Sequence, residues 1–282
     1  WITRFNYTHL NVSWNLFEAN RLNGLKIVGI QNMVGMITNN TFRNHQRGAF
    51  LITPSKRHDS LIRNVSIIIW FNKFLNNSGR YALNIGLNEN ADRLMQTINI
   101  TMNKFEHNNI YEPYDGWLNP RSSVSAVVII SSSNVQLTQN WFNNPESKIQ
   151  IGTHLQNYTS TINATFNWFG SIVKPVYEFQ YSLLNRERCN QQWINVRNQI
   201  FDNANRSNLA EIIYWPYSCN DRLWAHESSI DLRPPAYFDM SASDAFGGVY
   251  DTWGDNELPN GRYTVVNDIF IKPGAKLKIK SG

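Results

Sequence analysis

The frame Asn-x-Phe occurs six times in the first 170 residues: Asn15–Phe17, Asn40–Phe42, Asn72–Phe74, Asn103–Phe105, Asn140–Phe142 and Asn167–Phe169. The phenylalanines stand 25, 32, 31, 37 and 27 residues apart. Short stretches with apolar residues at every second position lead into most of them, as in VGMITNNTF, VSIIIWFNKF and VQLTQNWF. Several are followed by a polar turn and a second short apolar run, as in GAFLIT, YALNIGL and AVVIIS. A period of two marks strands, and no helical period competes with it here. Units of this length cannot bury a face alone, so they must stack on one another. The expected fold is therefore all-β, a right-handed parallel β-helix of about six coils over residues 1–176. Each strand would pair with its equivalent one coil away, about 4.8 Å distant.

In that arrangement Phe17, Phe42, Phe74, Phe105, Phe142 and Phe169 form an inward column of rings. The motif asparagine ends its strand, where its amide can bond the backbone or the equivalent asparagine above. It also tolerates the left-handed backbone of a sharp corner. The run NATFNWFGS, residues 163–171, reads as the last coil, with Gly170 turning out of the stack.

Beyond it the sequence changes character. Residues 177–222 contain helix-compatible pieces and read as a capping and return segment that covers the open end. Residues 223–245 hold a proline pair and no periodicity, as a linker does. In 246–282 alternation resumes, in GGVYDTW, GRYTVVNDIFI and PGAKLKIKSG, as the opening strands of a following β-helix. The charge balance shifts at the same boundary. Lys and Arg exceed Asp and Glu by seven before residue 178, and fall two short after it.

The basic excess is diffuse. With charged residues at 17% and no cationic run longer than KR at 56–57, a nucleic-acid footprint is not expected. The longest apolar run, IIIWF, is strand-sized and far short of the roughly 18 residues of a membrane span. The chain opens on Trp1 in strand-like sequence, which we read as a piece of a longer mature protein. Nine Asn-x-Ser/Thr sequons stand at Asn6, Asn11, Asn39, Asn64, Asn76, Asn99, Asn157, Asn163 and Asn205. Each is a glycan acceptor only in a secreted chain, and 39 asparagines generate several such triplets by chance. Cys189 and Cys219 are too few for a metal site, which leaves a disulfide or two inert thiols; on an extracellular reading they pair.

Nothing in the sequence assembles a catalytic centre. The acids of the coils are Glu18, Asp59, Glu89, Asp92, Glu106, Glu112, Asp115 and Glu146, and they fall in turns at differing coil positions. A β-helix lyase needs clustered carboxylates for calcium and a base, and a hydrolase needs a carboxylate pair. The acids from Asp239 to Glu257 lack the close alternating spacing of a calcium loop. The six histidines are scattered and read as surface or turn residues. No cofactor is expected. Trp70, Trp141 and above all Trp117, in the long loop YEPYDGWLNP, are the candidates for stacking on a sugar. The alternative to a non-catalytic spacer is thus a β-helix carbohydrate enzyme or a glycan-binding module.

The order of Asn-x-Phe coils ending in NWFG, then IFDN, then IIYWPYS and finally GRYTVVNDIFIKPGAKLKIKSG resembles the extracellular repeats of the bark beetle (Anakonda) family. The resemblance implies an ectodomain fragment of a large single-pass membrane protein of invertebrate epithelia. It implies parallel β-helices and a role in adhesion at tricellular and septate junctions. Its partners would be other extracellular domains of the same chain, other junction proteins or further copies of itself. The membrane would be reached only through a transmembrane segment outside this stretch. The family brings no catalytic residues with it.

Overall fold

The computed structural model describes residues 2–5, 8–30, 33–53, 65–86, 96–111, 124–132, 134–170, 193–214, 217–218, 245–250, 257–258, 264–271 and 278–279. Three long parallel sheets run through the first 218 residues, beside one short parallel pair, Ser78–Gly79 with Asn109–Ile110. Sheet A stacks Ile2–Phe5, Leu25–Ile30, Phe50–Thr53, Leu83–Ile85, Val128–Ile130, Ile151–Thr153 and Ile200–Phe201. Sheet B stacks Thr8–Ser13, Met33–Thr38, Val65–Trp70, Gln96–Thr101, Val135–Thr138, Thr161–Asn163 and Glu211–Ile213. Sheet C stacks Leu16–Glu18, Thr41–Arg43, Lys73–Leu75, Lys104–Glu106 and Trp141–Asn143. Parallel bridges from Trp141 to Trp168 and on to Ser218 continue it. The chain visits A, B and C in turn and then pairs each strand with its equivalent one circuit on, the pattern that a parallel β-helix produces.

The alternation in the sequence becomes alternation in burial. Ile37, Ile69, Ile100 and Leu137 of sheet B and Ile27, Ile52, Ile85 and Ile130 of sheet A lie inside, with the phenylalanines of sheet C. They form one apolar cluster that extends from the partly buried Leu10 and Phe17 to Ile212 and Tyr214. Outside sheet A a smaller cluster packs Val124, Ala126 and Ile129 against Tyr81, Ile149 and Phe201.

Two expectations are corrected. About six coils were expected, with residues 177–222 as a cap. Sheets A and B hold seven strands each, and the seventh pair comes from within that segment. After the short helix α1 (Trp193–Arg197), Ile200–Phe201 and Glu211–Ile213 rejoin the sheets, so NATFNWFG is not the last coil. Asp202 holds this seventh coil together. Its Oδ1 accepts from Arg197 Nη2 at 2.7 Å and from the Ala204 backbone at 3.0 Å, and its Oδ2 accepts from Ile212 N at 3.1 Å. Sequence pattern missed the coil because its strands are only two and three residues long.

The second correction concerns the corners. The left-handed residue is not the motif asparagine but the residue before it: Trp14, Asn39, Phe71, Met102, Gln139 and Phe166, with φ between 53° and 60°. A residue there turns its side chain out of the stack. The asparagine that follows is free to point inward.

Further along, Ala245–Tyr250 pairs in parallel with Thr264–Ile271, and Glu257–Leu258 with Lys278–Ile279. These strands are thus stacked roughly 20 residues apart rather than folded back as hairpins, with partners such as Glu257 and Lys278. The expected linker 223–245 lies outside the described residues except for Ala245.

Candidate functional site

The interior is organised by three ladders. The rings of Phe17, Phe42, Phe74, Phe105, Phe142 and Phe169 stack nearly parallel, with centroids 4.7 to 5.6 Å apart and planes within 13°. Beside them runs an amide ladder. Asn72 illustrates it: Oδ1 accepts from the backbone and side-chain nitrogens of Asn40, both at 3.0 Å. Its own N and Nδ2 donate to Asn103 Oδ1, and Nδ2 also donates to Ile37 O and Trp70 O. The pattern repeats through Asn103, Asn140 and Asn167. The side-chain oxygen and nitrogen of Asn40, Asn72, Asn103 and Asn140 are thereby bonded without water, which is the condition for tolerating a buried amide inside.

A second amide ladder was not anticipated. It climbs through Asn20, His45, Asn77, Asn108, Asn144 and Gln150. The signal is present in the sequence as Asn-x-Phe-x-x-Asn, with His45 in the place of Asn. The first four corners there are again left-handed one residue earlier, at Ala19, Asn44, Asn76 and His107. His45 is therefore a correction to the surface reading of the histidines. It is fully buried, its Nδ1 accepts from Asn20 N at 3.2 Å, and its Nε2 has no partner. Burial pulls its pKa down from the ordinary histidine value.

Because the ladders consume the inward positions, chemistry open to a partner lies on the outward rows. Sheet C presents Glu18 and Arg43, joined at 2.8 Å, with Lys73, Lys104 and Glu106 on further strands. Glu18 and Glu106 share a row but stand three strands apart, about 14 Å, too far to act as a carboxylate pair. Glu146 sits in a turn after the fifth strand of sheet C, and the remaining coil acids lie outside the described residues. Among the described residues no group of His, Cys, Asp and Glu could hold a metal ion.

Sheet B carries several apolar outward side chains. Val34, Met36 and Trp70 are exposed there, and Phe71 at the adjoining corner stacks on Trp70 with centroids 4.7 Å apart. Trp141, another candidate sugar platform, is instead half-buried, with Trp168 edge-on at 4.4 Å and Lys104 Nζ 4.4 Å from its ring centre. A cavity of about 300 Å³ between sheet A and the seventh coil is lined by Thr153, His154, Phe201 and Arg206 among others. Trp117, Cys189, Cys219, Asn6 and Asn64 lie outside the described residues. The other seven sequon asparagines are all at least partly exposed.

Over 288 aligned positions and 97% of its length, the chain is 31% identical to protein bark beetle of Drosophila melanogaster. The chain belongs to the bark beetle family. It spans about 8% of the length of that relative. No protein-family model matches it, and no solved structure does. Within this family segment, NWFG is the end of the phenylalanine ladder and IFDN supplies the Asp202 clamp. IIYWPYS supplies buried Tyr214 and Tyr217 and the Ser218 bridge to Trp168. The motifs that carry the resemblance are thus parts of the scaffold. Among the described residues no helix is long and apolar enough to cross a membrane.

Proposed function

We propose that this chain is a non-catalytic extracellular segment of an epithelial junction membrane protein, a right-handed β-helix that serves as a rigid spacer and contact surface in adhesion. The observation that carries the reading is the 31% identity to bark beetle over 97% of the chain. The construction supports it. Six steps of stacking set a rod about 29 Å long, and its interior is filled by stacked rings and bonded amides. Its contacts would be to neighbouring extracellular domains of the same protein, to other junction proteins or to a second copy. The test is to tag the full-length protein and image it in a polarised epithelium. Spots at three-cell vertices support the reading, and signal in the lumen or medium overturns it.

A second reading, a glycan-binding module, is favoured by one feature, the exposed Trp70–Phe71 stack. Titration of oligosaccharides against tryptophan fluorescence tests it: quenching lost in Trp70→Ala supports a sugar platform, and no change removes it.

A further inference from the structure

Three sequon asparagines fall on one outward row of sheet B. Strand register runs Asn11, Met36, Ile68, Asn99, Gln136, Asn163 and Ile213, one residue per coil. Asn99 and Asn163 are flanked by buried residues, Ile98 and Ile100, and Ile162 and Ala164, while Leu10 and Val12 beside Asn11 pack against the core. Their own side chains therefore leave the stack on the same face. They occur on the first, fourth and sixth coils, about 14 Å and 10 Å apart. Among the described strands, those of sheets A and C carry no sequon asparagine.

The asparagines divide cleanly by role. Beyond the exposed first rungs Asn15 and Asn20, the ladder residues Asn40, Asn72, Asn77, Asn103, Asn108, Asn140, Asn144 and Asn167 are buried, and none of these ten begins a sequon. A second, independent observation concerns the gaps in the row. Met36 and Ile213 are exposed, as are Val34, two residues before Met36, and Trp70, two residues after Ile68 on its strand. Contiguous exposed apolar surface invites association unless something covers it.

We propose that sheet B is the glycan-bearing face of the stack, with N-linked oligosaccharide on Asn11, Asn99 and Asn163 that also screens the apolar side chains between them. The inference rests on the extracellular reading. In the transfer, each asparagine Nδ2 forms a bond to the anomeric carbon of an N-acetylglucosamine held on a lipid diphosphate. The anomeric carbon–oxygen bond to the diphosphate breaks, the diphosphate leaves with the electron pair, and the amide nitrogen loses one proton. No oxidant is needed. At Asn163 the sequon is already folded on itself, with Thr165 Oγ1 donating to Asn163 Oδ1 at 2.8 Å.

The experiment uses the full-length protein purified from epithelial cells. It is deglycosylated by an amidase in heavy-oxygen water, so that each formerly occupied asparagine becomes a mass-labelled aspartate, and occupancy is read peptide by peptide. Occupancy at Asn11, Asn99 and Asn163 supports the proposal. Bare asparagines at these three, with glycans on other sequons of the same protein, overturn it while leaving the extracellular reading intact. No glycan anywhere, together with no labelling of intact cells by an impermeant reagent, overturns both. Ser13→Ala, Thr101→Ala and Thr165→Ala keep the asparagines and should each delete one glycan's mass. The triple variant should sediment with a larger self-associated fraction than the parent, and an unchanged profile refutes the screening role.

Discussion

Asn103 offers the most direct test of the ladder argument. It lies in the middle of the stack and is fully buried. Its Oδ1 accepts from Asn72 N at 2.9 Å and Asn72 Nδ2 at 3.0 Å. Its Nδ2 donates to Ile69 O at 2.8 Å, to Thr101 O at 3.0 Å and to Asn140 Oδ1 at 3.0 Å. In Asn103→Ala the Asn72 backbone N–H loses its acceptor, while Asn140 Oδ1 keeps the Asn103 backbone N–H at 3.0 Å. One orphaned donor costs about 1–3 kcal/mol and two lost carbonyl bonds about 0.5–1.5 kcal/mol each, so the expected loss is about 2–6 kcal/mol. Asn103→Asp separates bonding from packing. The isosteric carboxylate keeps Oδ1 but turns its second oxygen toward three acceptors, so its folded pKa is expected to rise above the unfolded value of about 3.9. A raised folded pKa means that the defect is largest at neutral pH and shrinks as pH falls through that value. The assay is urea unfolding of both variants across pH, with hydrogen exchange at Asn72 and Asn103. A loss below about 1 kcal/mol for the alanine variant, or no acid recovery for the aspartate, would refute the reasoning.

Three further outcomes are expected. His45 has a folded pKa lowered by burial, so the unfolded chain binds its proton first; its contribution is intact above about pH 6.5 and lost as pH falls toward the folded value. Replacing it by the residue of the equivalent rungs, His45→Asn, should flatten the stability profile over that range, and an unchanged slope in urea titrations at several pH values would speak against it. Asp202→Asn leaves the nearly buried Arg197 guanidinium without its carboxylate, and should cost about 3–5 kcal/mol, read by thermal melting. Gly170→Ala puts a Cβ 2.6 Å from Phe142 O at φ +54°, so a loss of about 2 kcal/mol or more is expected in the same melts; a neutral effect would mean the turn relaxes freely.

The inward half of this fold was legible because stacking makes the same demand at every coil. Phe42, Phe74, Phe105 and Phe142 each meet a ring above and below, with Phe17 and Phe169 ending the column, so all six recur at one frame position that a single sequence displays. The second amide ladder obeys the same logic but was harder to see. His45 stands in for one asparagine, and Asn144 sits one place nearer its phenylalanine than Asn108 does. The seventh coil was illegible for another reason. Ile200–Phe201 and Glu211–Ile213 are too short to show a period, and what holds them is the Asp202 clamp, whose partners lie five residues before and ten after it. The corners were misassigned because the rule that asparagine favours left-handed backbone is weaker than the need to turn the ladder amide inward. Trp14, Phe71 and Phe166 accept the strain instead.

That division bears on where function resides. Substitution at a ladder position disturbs three coils at once, because each amide bonds both the coil before and the coil after. Outward positions have no such obligation. Row by row they change from Asn11 to Met36 to Ile68 to Asn99 on sheet B, and from Glu18 to Arg43 to Leu75 to Glu106 on sheet C. The scaffold thus fixes a spacing, about 4.8 Å per coil, and leaves identity open at each step. A partner that recognises this surface must do so with groups at multiples of that spacing along the stack. Shifting one coil's outward residue to a neighbouring coil should then abolish recognition while leaving unfolding unchanged, whereas a catalytic or pocket-based site would lose activity wherever its residues were moved.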